Sequence, residues 1–198
     1  MLTNDDIWSL AKRMNVPLVF CDFKDQLKKT KLQYGKSYII NMEDAFSKDG
    51  KRNQGSHYCC FQVNRHPNGE KEGFYFDSFG MPQPQVVNKF CKMDLPSNSK
   101  DIQSLMNSAC GWYCLALLHY INASPYRTQH LWTDLKNFID MFEDLEKSTD
   151  HLKNEWVLKH FFRSSDPSKR TPIEVGYGHP NQNPDNIINQ DEDNKKSL

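Results

Sequence analysis

Asn107-Ser108-Ala109-Cys110-Gly111-Trp112-Tyr113-Cys114-Leu115-Ala116-Leu117-Leu118 is the stretch on which the fold turns. After three small or polar residues nearly every position is apolar. The apolar positions go all round a helix rather than along one face, which is the pattern of a buried helix. Ser108 stands where a cap is expected, so the spacing predicts a helix from about Cys110 to Ile121. Cys110 then occupies the first turn, where unpaired N–H groups and the positive end of the dipole favour a negative sulfur. Gly111 removes a side chain beside it and would let a substrate backbone approach closely. A cysteine in an apolar helix is usually a packed core residue, and Cys114, one turn on, fits that description. Read as half a metal site, Cys110 and Cys114 lack a C-x-x-C or a matching histidine pair.

Upstream, His57 to Val63 and Phe74 to Phe79 alternate as strands around Pro67-Asn68-Gly69, which is strong turn chemistry. A β-hairpin follows, with His57 at the start of one strand and Asp77 toward the end of the other. Antiparallel pairing brings these two side chains to one edge of the sheet, as a base and its orienting carboxylate require. Tyr58 and Phe61 can wall the histidine. Cys59 and Cys60 beside it suggest zinc only weakly, because adjacent strand residues point to opposite faces. Gln103, seven residues before Cys110, lies in a loop that must fold back toward the helix start. There its amide can donate to a tetrahedral oxyanion together with the Cys110 N–H.

The remaining elements read outward from these. Thr3 or Asn4 caps a first helix carrying Ile7, Leu10, Ala11 and Met14 on one face, ended by Asn15 and Pro17. Leu18 to Cys21 and Tyr38 to Ile40 read as short strands, and Val86 to Cys91 as a helix start. Leu131 to Glu146 and His151 to Phe162 are amphipathic helices. The expected organisation is one domain over residues 1–163 and a flexible, Pro-, Ser-, Asn- and Asp-rich tail over 164–198.

Hydrophobic residues make up 37% and charged residues 25%, within the range of globular domains. Lys plus Arg equals Asp plus Glu at 25 each, so no global field draws the chain to nucleic acid; DNA binding would need a local basic patch. No run approaches a membrane span, and the acidic, amphipathic start has no secretory leader pattern. Six cysteines, two of them adjacent, then suggest reduced thiols in a cytosol, nucleus or virus factory.

Gly55-Ser56-His57-Tyr58, Phe76-Asp77-Ser78-Phe79-Gly80 and Gln103-x6-Cys110-Gly111, in that order, resemble the adenovirus-type maturation proteases (adenain). These stand within the clan of SUMO-specific and related ubiquitin-like-protein proteases. The resemblance covers roughly residues 3 to 145 and includes the second cysteine, Cys114, and the apolar run after it. Two positions depart from the pattern: Tyr58 stands where the family usually has Trp, and Asp77 where adenain has Glu.

The resemblance implies an α+β, papain-like fold, with a central mixed sheet flanked by helices and the nucleophile on a buried central helix. It implies a thiol protease in which Cys110 attacks, His57 moves the proton, Asp77 orients His57 and Gln103 supports the oxyanion. Family substrates are capsid and core precursors cut at Gly-containing sites, which places the expected enzyme in the virion and the host cytoplasm or virus factory. Similar proteases occur in virophages, Polinton-like elements and large DNA viruses. No metal or cofactor is expected, and the enzyme is expected to be a monomer. The family is also helped by DNA and by a peptide that bonds to a cysteine upstream of the glutamine. Cys91 lies one residue off that spacing, and net neutrality weakens the DNA carry-over. A narrow cleft walled by Trp112 and Tyr58 would select glycine. Gly176-Tyr177-Gly178 is a weak fit to a self-trimming site. A deubiquitinase- or deSUMOylase-like enzyme, a non-catalytic binding module and an acyltransferase remain as alternatives.

Overall fold

Thr3 opens the first helix, α1 (Asn4–Arg13), through a capping box: its hydroxyl accepts from the Asp6 N–H while Asp6 accepts from the Thr3 backbone. Asn15, in the left-handed region at φ 55, and Pro17 end the helix and turn the chain into strand β1 (Leu18–Phe23). The structure, a computed structural model, describes residues 2–105, 107–145 and 151–165, with side chains as far as Phe162. The tail expected over 164–198, and Gly176-Tyr177-Gly178 in it, lie outside the described residues, save for Ser164 and Ser165 at the end of the last helix.

A 3-10 helix (Lys24–Lys29) leads from β1 to β2 (Lys36–Asn41). Strands β3 (Tyr58–Arg65) and β4 (Lys71–Phe76) form the hairpin, with Gly69 at φ 89 in the turn, a conformation glycine adopts without strain. The sheet runs β1-β2-β3-β4; the first pair is parallel and the other two antiparallel, so the sheet is mixed. Strand β4 ends earlier than the alternation predicts. From Asp77 the chain turns: the Asp77 carbonyl accepts from Gly80 N–H (2.9 Å) and its carboxylate from Phe79 N–H (2.8 Å).

Helices cover both faces. The larger core joins the sheet to α1, α3 (Cys110–Ala123), α4 (Leu131–Ile139) and α5 (His151–Ser165). The smaller one lies under the 3-10 helix and α2 (Gln85–Cys91), around Tyr38 stacked on Phe61 at 4.9 Å. Of the 14 residues of α3, 11 are buried, which makes it the central helix. Strand parity sorts the side chains: Cys59, Phe61 and Val63 face the smaller core, Cys60 and Tyr58 the larger.

Two helix ends differ from the sequence expectation. Ser108 does not cap α3; Ala109 holds that position, with no side-chain bond to the first turn. Helix α4 stops at Ile139 rather than running to Glu146, because the chain tightens there to bury Phe142, and Asn154 then takes both backbone groups of Glu143. No helix of the described residues is long and apolar enough to cross a membrane.

Candidate active site

His57 is the residue before β3 and Asp77 the residue after β4. The ladder pairs Cys60 with Phe76, so one step further Cys59 lies opposite Asp77 and His57 stands at the same end of the sheet. His57 Nε2 is 2.9 Å from a carboxylate oxygen of Asp77, which is 1% exposed. Asp77 is gripped on every side. Its backbone N–H donates to Asn98 (3.1 Å), the Asn98 amide donates back to its carbonyl (2.6 Å), and the Cys59 thiol donates to its second carboxylate oxygen (3.1 Å). Phe79 lies over the imidazole at 4.7 Å between ring centres.

The same strand end meets the start of α3. Cys110 Sγ accepts from the Tyr58 N–H at 3.4 Å. With Nε2 committed to Asp77, His57 Nδ1 is the nitrogen left for a reacting proton; it is buried and makes no hydrogen bond. Charge nonetheless couples the two. Burial alone would lower the His57 pKa, but Asp77 and Cys110 outweigh it and raise it to about 9. Burial alone would raise the Cys110 thiol, but His57 and the Tyr58 and Gly111 N–H groups outweigh it and hold it below its ordinary value. The uncapped first turn of α3 thus leaves the Gly111 N–H to the sulfur. By contrast burial pushes Cys21 and Cys91 up to about 12 and holds Cys59 and Cys114 well up as neutral thiols. All six cysteines are buried and free.

Gln103, 1% exposed, is fixed at both ends of its amide. Its oxygen accepts from the Ser78 hydroxyl (2.7 Å) and its nitrogen donates to the Asn107 carbonyl (3.0 Å), leaving a second N–H for another acceptor. Asn107 in turn accepts from the Ala109 N–H (3.3 Å) and donates to Glu155 on α5 (2.8 Å). So Gln103 is joined through Ser78 to the Asp77 turn and through Asn107 to the helix start.

Two roles expected from sequence change. Gly111 does not open onto a cleft: a Cβ there would meet Leu2, Ile7 and Tyr58 at 3.3–3.5 Å, so the glycine lets α3 pack against α1. Tyr58 is buried with its hydroxyl on Asn4 (2.7 Å) and walls no cleft. Trp112 does line an open hollow of about 500 Å³, with Asn107, Ser108, Ala109, Glu155 and Phe162. Asn98 carries no signal in the sequence, Ser78 and Phe79 enter it only as part of the motif around Asp77, and Cys59 only as a weak zinc candidate. Cys59 had a signal, since it is two residues from His57 on a strand and shares its face.

Among the described residues, His57, Cys59 and Asp77 offer atoms within 4.8 Å of one another, a set that could hold a metal ion. Cys60 turns to the other face, as alternation requires, and Cys59 is held as a protonated donor to Asp77. A metal would need that thiol deprotonated and the His57–Asp77 contact opened. The arrangement fits a carboxylate–imidazole–thiol line better.

No protein-family model matches the chain, and no curated protein matches it by sequence. Among solved structures, HopZ1a in complex with IP6 aligns over 84% of this chain and 68% of its own, at 8% identity and a TM-score of 0.40. Likeness at that level defines no family; the fold rests on the elements described above.

Proposed function

We propose that the chain is a cysteine endopeptidase of the papain-like, adenain-like kind. The observation that carries this reading is the grouping of buried Asp77, half-buried His57 and buried Cys110, with the His57–Asp77 contact at 2.9 Å and Cys110 held toward thiolate. In the proposed reaction the Cys110 thiolate attacks the scissile carbonyl. His57 then gives its proton to the leaving amine, and later takes one from the water that releases the acyl enzyme. Asp77 fixes the imidazole so that Nδ1 faces the reaction and stabilises the imidazolium. The Gln103 amide and the Cys110 N–H receive the oxyanion. The hollow beside Trp112 would take a substrate residue near the cut.

The sequence resemblance supports capsid and core precursors cut at Gly-containing sites as substrates, hence a role in virion maturation, in virions and virus factories. Host ubiquitin-like conjugates are the alternative, and they need no different catalytic residues. The test incubates wild type and Cys110→Ala with Gly-rich peptide libraries and candidate capsid precursors, alongside ubiquitin and SUMO vinyl sulfone probes. Cys110-dependent cuts beside glycine support the maturation reading, and labelling of Cys110 by the probes transfers it to conjugates. Acetyl transfer from acetyl-CoA without peptide cleavage overturns both.

A further inference from the structure

A second hollow, of about 660 Å³, lies on the other side of the sheet, between the 3-10 helix, the loop after it, the start of β4 and α2. Lys28, Lys31, Lys71, Lys89 and Lys92 all line it, and no acidic residue does. All five are exposed, and none makes an ion pair among the described residues, although the whole chain is neutral. Lysines in the last turn of a helix complement its dipole, which accounts singly for Lys28, Lys89 and, just beyond α2, Lys92. It does not account for Lys31 and Lys71, which come from a loop and a strand, nor for all five converging on one concavity. Lys71 lies over the Tyr34 ring at 5.7 Å, but none of the five has an acidic partner among the described residues. Their mutual repulsion, weak in solvent, would turn to attraction with an anion among them.

We infer that this hollow is a binding site for a small ligand carrying several phosphate groups. Lysine binds phosphate as a point charge approached from any side, and five such charges around one concavity match a ligand that carries several negative charges close together. Its volume is that of a small-molecule site. The floor is apolar, formed by Leu27, Val86 and Phe90, so a ligand with a flat apolar part beside its phosphates fits the lining. Duplex nucleic acid does not, because its phosphates need a charged stripe or face rather than lysines gathered around one hollow. The site is separate from His57 and Cys110 and does not depend on the peptidase reading.

The test titrates the full-length chain with sodium tripolyphosphate and with ATP by calorimetry, at two salt concentrations. The Lys31→Gln/Lys89→Gln/Lys92→Gln variant and a control, Lys12→Gln/Lys48→Gln/Lys51→Gln, are run beside it, with folding checked by circular dichroism. One-to-one binding that weakens with salt, falls about tenfold or more in the first variant and holds in the control supports the site. ATP tighter than tripolyphosphate assigns the apolar floor to the base; equal affinities assign the site to phosphates alone. No binding of either compound, an equal loss in both variants, or tighter binding of a short DNA duplex than of tripolyphosphate overturns it.

Discussion

The opposite shifts of His57 and Cys110 decide which of the two holds a proton. The Cys110 thiol is held below its ordinary 9.0, so it loses its proton below that pH, while the imidazole keeps its own up to about 9. Between the two the pair is thiolate and imidazolium. Alkylation of Cys110 by iodoacetamide should therefore already be fast well below pH 9. Peptide turnover, which also needs the imidazolium proton, should fall as pH rises through about 9. Asp77→Asn removes a carboxylate that raises the His57 pKa, so the falling limb moves to lower pH. A limb that stays near 9 in that variant would show that Asp77 does not set it. Cys59 acts one bond further out. Its thiol is the donor to the second Asp77 oxygen, and Cys59→Ala leaves that buried oxygen unsatisfied. The expected loss is about tenfold in kcat, with Cys59→Ser recovering most of it. Equal losses in both variants would point to packing instead. The His57–Asp77 juxtaposition was legible from hairpin pairing. Cys59 is equally legible by parity, since it stands two residues from His57 on one strand, but parity alone does not show that its thiol meets Asp77.

The turn after β4 holds the two halves of the site together, since Asp77 contacts His57 and the next residue, Ser78, holds Gln103. Gly80 closes it at φ 69, and a Cβ there would meet the Ser99 backbone at 2.6 Å. Gly80→Ala is expected to cost about 1–3 kcal/mol by denaturant titration. It should also lower kcat, because Asp77 and Ser78 shift with the turn; a variant with wild-type midpoint and rate would contradict this. Alternation marked β3 and β4 but placed the end of β4 three residues late. Phe79 is aromatic and fits a strand by composition, yet the Asp77 carboxylate captures its N–H and starts a turn instead. Helix α3 was the most legible element because it is apolar all round. Its missing cap was not legible, since Ser108 looks like one and only the three-dimensional path of the chain gives the position to Ala109.

At the scale of the whole molecule, α5 packs against α3 and braces the loop that carries Gln103. Phe161, 1% exposed, meets Phe138 edge-on at 6.1 Å, and Phe162 meets Trp112 at 4.9 Å. Asn154 reaches across to the Ile102 carbonyl at 3.0 Å, next to Gln103. Sequence periodicity predicted α5 as an amphipathic helix but could not say what its polar face would hold, because its partners stand about fifty residues earlier. Glu155 is the clearest case: its carboxylate accepts from Asn107, whose carbonyl in turn holds the Gln103 amide. Glu155→Ala removes the outer anchor of that chain while leaving Phe161 and the core beneath it in place. Peptide turnover should then fall by about three- to tenfold in kcat, since misplacing a donor by a fraction of an ångström is enough for that. The unfolding midpoint should move little. Glu155→Gln keeps an oxygen for Asn107 and should retain most of the rate. If both variants turn over at the wild-type rate, the Gln103 loop stands without α5, and the helix contributes packing alone.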